Sequence, residues 1–117
     1  MRILTFAISA LLIVTAAATA EAHAFLDHAE PRVGSTVPTA PRELVLSYTQ
    51  NLEPAFSSVE VKDANGARVD LGKPSISAGV MRVGLKPLPP GTYRVRWQVL
   101  SVDTHTTEGS FTFRVGQ

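Results

Sequence analysis

Thr92-Tyr93-Arg94-Val95-Arg96-Trp97-Gln98-Val99 alternates apolar and polar residues without a break. Tyr93, Val95, Trp97 and Val99 make one stripe, and Thr92, Arg94, Arg96 and Gln98 make the other. A period of two sends successive side chains to opposite faces of a strand, so this is the pattern of an antiparallel sheet packed on one side. Just upstream, Lys86-Pro87-Leu88-Pro89-Pro90-Gly91 carries three prolines. They remove ladder donors and fix φ, so the segment reads as a crossing loop or tight turn. Downstream, Phe111, Phe113 and Val115 alternate with Ser110, Thr112 and Arg114.

Farther out the same period recurs. Leu44, Leu46 and Tyr48 alternate with Val45, Ser47 and Thr49, Val59 and Val61 with Ser58, Glu60 and Lys62, and Met81, Val83 and Leu85 with Arg82 and Gly84. Asp63-Ala64-Asn65-Gly66 supplies turn chemistry, which lets Arg68 to Leu71 return as a hairpin partner. No stretch of ten or more residues after residue 22 has a 3.6-residue apolar period. Short strands separated by turn signals predict an all-β, immunoglobulin-like Greek-key β-sandwich of about seven to nine strands.

The first residues follow another grammar. Arg2 precedes an apolar run from Ile3 to Ala18, which closes on Ala20-Glu21-Ala22. That is the form of a secretory signal peptide, 1–22, with the expected cut between Ala22 and His23. The apolar run is shorter than the ~20 residues of a spanning helix, so no stable membrane insertion is expected after cleavage. Residues 23–117 are then one domain with a single core, extended over its first part by Pro31, Pro38 and Pro41.

The chain carries 11 basic and 10 acidic side chains, net charge +1, and no cysteine. Such a surface gives no reason to expect nucleic acid as a partner. The absence of cysteine excludes disulfides and thiolate metal sites. Met81 is the only thioether after the expected cut, so a metal here would be held by nitrogen and oxygen.

Three histidines remain. His23 would start the exported protein, offering an α-amine, with an ordinary pKa of about 7.7 to 8.0, beside its own imidazole as a chelating pair. Asp103 and His105 are two apart, so in an extended segment they point the same way. An Asp-x-His on a loop is more often a solvated turn. Joined with a histidine terminus, it makes a set of three nitrogens and one oxygen that suits tetragonal Cu(II). If the arm forms an edge strand, alternation puts Asp27 on the face of His23 and Phe25; His28 reads as part of a solvated arm.

These residues resemble the CopC family of periplasmic copper-binding proteins. The resemblance runs from His23-Ala24-Phe25-Leu26 and Pro31, through Leu44-Val45-Leu46-Ser47-Tyr48 and Leu88-Pro89-Pro90-Gly91-Thr92-Tyr93 to Trp97. It continues through Ser101-Val102-Asp103-Thr104-His105 and Gly109 to Phe111-Thr112-Phe113-Arg114-Val115-Gly116. It implies an immunoglobulin-like or cupredoxin-like sandwich, and Cu(II), one per chain, held by His23 through amine and imidazole, by His105 and by Asp103. It further implies a monomeric, non-catalytic carrier in the periplasm and a CopD-like inner-membrane transporter as partner. The methionine-rich Cu(I) site of some members is absent, and Gln50 stands where related sequences often have an acidic residue. Two other readings stay open: a copper monooxygenase using a histidine brace, which the anionic Asp103 disfavours, and a metal-free immunoglobulin-like interaction module.

Overall fold

The computed structural model describes residues 24–116. The expected signal peptide and His23 lie outside the described residues. Among the described residues eight strands form: β1 (Leu26–Glu30), β2 (Thr36–Val37), β3 (Glu43–Tyr48), β4 (Ser58–Lys62), β5 (Ser75–Ser77), β6 (Val80–Gly84), β7 (Gly91–Leu100) and β8 (Thr106–Val115), with a 3-10 turn at Pro54–Phe56. They make two four-stranded sheets, β1-β3-β6-β5 and β2-β8-β7-β4. The all-β sandwich expected from the sequence is what the chain forms.

The stripe at Tyr93, Val95, Trp97 and Val99 lies on β7 and is buried, as are Leu44, Leu46 and Tyr48 of β3, Val59 and Val61 of β4, and Phe111, Phe113 and Val115 of β8. These inward faces are the core between the sheets, while Arg94, Arg96 and Gln98 face water. β7 and β8 pair along their whole lengths, from Gly91 with Val115 to Leu100 with Thr106. At the start of β7 the Tyr93 hydroxyl donates to the Pro89 carbonyl, the tyrosine-corner device of Greek-key sandwiches. Tyr93 thus ties down the proline-rich crossing as well as filling the core.

Two elements depart from expectation. The Asp63 turn forms, with the Asp63 carboxylate accepting from the Asn65 and Ala67 amides and Gly66 at φ 80°, and the chain returns antiparallel on β4 at Arg68, but Arg68 to Leu71 does not continue as a hairpin strand. Its isolated bridges run from Arg68 to Lys62 and from Asp70 to Leu85, on opposite sheets. The cause is Asp70, whose side chain is 1% exposed. Its carboxylate accepts from the Val61 amide (2.9 Å), from the Arg68 guanidinium (2.8 Å) and from the Gly72 amide (3.3 Å). A side chain takes the donor that a returning strand would have used, and the segment crosses the edge of the sandwich.

The second departure is β8, which begins at Thr106, well before the apolar alternation does. Gly109 sits opposite Trp97, and a Cβ there would lie 2.6 Å from Trp97 Cζ2. The indole covers the glycine, so the strand's first half carries no large apolar residue to announce it. Tyr48 packs edge-on against the same indole, ring centroids 5.2 Å apart.

Candidate metal centre

At one end of the sandwich β7 turns into β8 through residues 101–105, and that turn carries the Asp-x-His. Ser101 is fully buried and organises it. Its amide donates to the His105 carbonyl (3.0 Å), the Thr104 amide donates to the Ser101 carbonyl (2.9 Å), and the His105 amide donates to the Ser101 hydroxyl (3.3 Å). The hydroxyl in turn donates to Asp103 Oδ1. Thr104 has φ 73°, a left-handed conformation that β-branched residues rarely adopt. Asp103 and His105 therefore converge through a tight turn and not through the alternation of an extended strand. His105 Nδ1 lies 3.5 Å from Asp103 Oδ1.

The hydrogen bond from Ser101 holds the Asp103 carboxyl below the ordinary carboxylate range, and the neighbouring His105 adds to this against a smaller opposing effect of desolvation. The result is an anionic oxygen donor beside an imidazole, both open to solvent. A borderline cation that accepts nitrogen and oxygen fits such a pair. Among the described residues no three His, Asp or Glu side chains converge as a metal cluster, so the pair needs a ligand from elsewhere. His23, the expected source, lies outside the described residues.

The chain that leads to His23 is pinned beside the pair. The Ala24 carbonyl accepts from the Thr107 hydroxyl at 2.7 Å, two residues beyond His105. The Phe25 amide donates to Thr49 Oγ1 (3.0 Å), and the Thr49 amide donates back to the Phe25 carbonyl (2.9 Å). Ala24 is fully buried in the core. Nothing in the sequence announced this clamp, because Ala24 and Thr107 are 83 residues apart and an isolated threonine carries no signal.

The other candidates separate from the pair. β1 is indeed an edge strand, but its register slips between Leu26 and His28, both of which pair on β3. Asp27 is the extra residue of that bulge and is exposed, so alternation ends before it. His28 Nε2 lies 3.7 Å from Glu30 Oε2, on the solvated arm as expected. Gln50 follows β3 at the same end of the sandwich and is half-buried.

The family model of the CopC domain matches residues 26–116. The chain is similar to the copper transport protein CutJ of Bacillus subtilis, 32% identical over 111 residues, which are 92% of this chain but only 20% of CutJ. Among solved structures it is similar to CopC from Methylosinus trichosporium OB3b, with TM-score 0.75 and 30% identity over 80% of this chain and 94% of that one. It is also similar to PcoC, a methionine-rich copper resistance protein from Escherichia coli, with TM-score 0.71 and 33% identity over 80% of this chain and 99% of that one.

Proposed function

The chain belongs to the CopC family, and from that premise we propose that it is an exported copper-binding protein of copper homeostasis or resistance. After removal of residues 1–22 it holds one Cu(II) through the amine and imidazole of His23, the Asp103 carboxylate and the His105 imidazole. It acts as a carrier or buffer in the periplasm, exchanging copper with a CopD-like inner-membrane transporter.

The observation that carries this reading is the 2.7 Å bond between the Thr107 hydroxyl and the Ala24 carbonyl. It holds Ala24, the residue that follows His23 in the sequence, against the strand that leaves His105, which supports a site shared by the chelating terminus and the pair. Fixing ligands before the metal arrives reduces the ordering cost of binding. The donor set supports Cu(II): three nitrogens and an anionic oxygen favour the harder oxidation state. Met81, the one methionine among the described residues, is buried in β6, so those residues offer no surface thioether for Cu(I). An anionic ligand also opposes the reduction that oxygen activation requires, so a carrier is preferred to a monooxygenase.

A competition titration of the processed protein against a chelator tests the proposal. One equivalent of Cu(II) is expected, with affinity lowered at least a hundredfold in His105→Ala. Wild-type affinity in that variant, or no uptake at one equivalent, would reject it.

A further inference from the structure

Ser57, Asp70 and Ser101 are buried polar residues, and each has a hydrogen-bonding task. The Ser57 hydroxyl donates to the Glu53 carbonyl (2.9 Å) and accepts from the Leu100 amide (3.1 Å), so it joins backbone to backbone. Asp70 ties the crossing segment to β4. Ser101 differs from both. The His105 carbonyl stands 3.2 Å from its hydroxyl and would close the same turn. Yet a hydroxyl has one proton to give, and this one goes to the charged acceptor, Asp103 Oδ1, which makes the stronger bond. A fully buried group thus reaches out to an exposed side chain of the candidate metal centre.

A carboxylate offers a cation two oxygens, and those of Asp103 are not equivalent. Oδ1 meets the Ser101 hydroxyl and has His105 Nδ1 at 3.5 Å. Oδ2 accepts no hydrogen bond from another of the described residues. Rotation of the carboxylate about its Cβ–Cγ bond would break the bond to Ser101, so the group is fixed in one orientation before any cation arrives. The same serine accepts from the His105 amide at 3.3 Å, which sets the backbone of the imidazole donor from the same buried point.

We infer that Ser101 is a positioning residue that sets metal selectivity: by engaging Oδ1 it leaves Asp103 to bind through Oδ2 alone, in an orientation that favours Cu(II) over Zn(II). The inference rests on the proposed Cu(II) site and adds to it a residue that touches no metal. Cu(II) prefers a tetragonal arrangement of its donors, so it gains most from a carboxylate held in one rotation. Zn(II) has a filled d shell and no such preference, so it loses less when the carboxylate turns freely. Groups that orient a metal ligand are worth roughly 10–100-fold in affinity.

The test is a double-mutant cycle on the processed protein, titrated with Cu(II) and with Zn(II) against a chelator. Ser101→Ala is expected to weaken Cu(II) roughly 10–100-fold, to weaken Zn(II) less, and to shift the Cu(II) electron paramagnetic resonance spectrum. In an Asp103→Ala background the same change should cost almost nothing further, because no carboxylate is left to hold. Ser57→Ala, which removes another buried hydroxyl, should lower urea stability and leave both affinities and the spectrum as in the wild type. Asp103→Glu provides a second route that does not disturb the core. Its longer side chain carries the carboxylate away from Ser101, and the preference for Cu(II) should narrow as it does in Ser101→Ala. The inference is overturned if Ser101→Ala or Asp103→Glu keeps the wild-type preference, or if Ser101→Ala costs as much without Asp103 as with it. One equivalent of Cu(II) on the wild type with Ser101→Ala unmoved leaves the site standing and removes only the positioning role. No uptake by the wild type rejects the site and the inference together.

Discussion

At the scale of single residues, Asp70 and Asp103 show two uses of a carboxylate in one small domain. Burial alone would raise the Asp70 carboxyl. The Arg68 guanidinium and the Val61 and Gly72 amides more than offset this and hold it below its ordinary value. A depressed folded pKa means stability that is present above the unfolded value, about 3.9, and is lost as pH falls through the folded one. Asp70→Ala, which leaves the Val61 amide without its acceptor, should cost about 3 kcal/mol at pH 7. Asp70→Asn should cost less and flatten the acid limb, measured by urea unfolding at pH 7 and pH 3. A wild-type acid limb in Asp70→Asn would contradict this. Asp103 instead stays open to solvent, and its contribution belongs to the metal. Asp103→Asn should therefore leave urea stability without copper as in the wild type and weaken Cu(II) binding at least tenfold in the chelator titration.

At the scale of elements, the long strands were legible and the clamps were not. Continuous alternation located β7 and β3 because each has one face in the core and one in water. The start of β8 was hidden because Trp97 covers Gly109, where a longer side chain would have marked the strand. The Asp-x-His pair was legible as a pair, yet its geometry comes from Ser101 and from the left-handed Thr104, neither of which a period-two reading contains. The crossing at Arg68 to Leu71 looked like a hairpin return because nothing local shows that Asp70 will take the Val61 amide. Two expectations follow for these elements. Gly109→Ala sets a Cβ 2.6 Å from the indole and should destabilise the domain by about 1–3 kcal/mol, readable as a lowered Tm. Thr107→Val keeps the shape and removes the hydroxyl that holds the Ala24 carbonyl. It should cost about 1 kcal/mol and weaken Cu(II) severalfold, whereas an unchanged copper affinity would mean that the clamp does not prepare the terminus.

At the scale of the whole molecule, the sandwich brings Ala24, next to the expected terminus, beside the strand that follows His105. β1 at the edge of one sheet and the β7–β8 turn of the other meet at a single end. A ligand bridging them should stabilise the fold as a unit. Copper at 100 times its dissociation constant should add about 2.7 kcal/mol, a Tm rise of about 10–20 °C for a domain of this size, absent in His105→Ala. The central claim is that the exported chain begins with a histidine that chelates copper beside Asp103 and His105. Electron paramagnetic resonance of the processed protein with one equivalent of Cu(II) tests it most directly, beside His23→Ala and a variant with one alanine added before His23. A tetragonal, nitrogen-rich spectrum altered in both variants is expected; the same spectrum in all three proteins would contradict the claim.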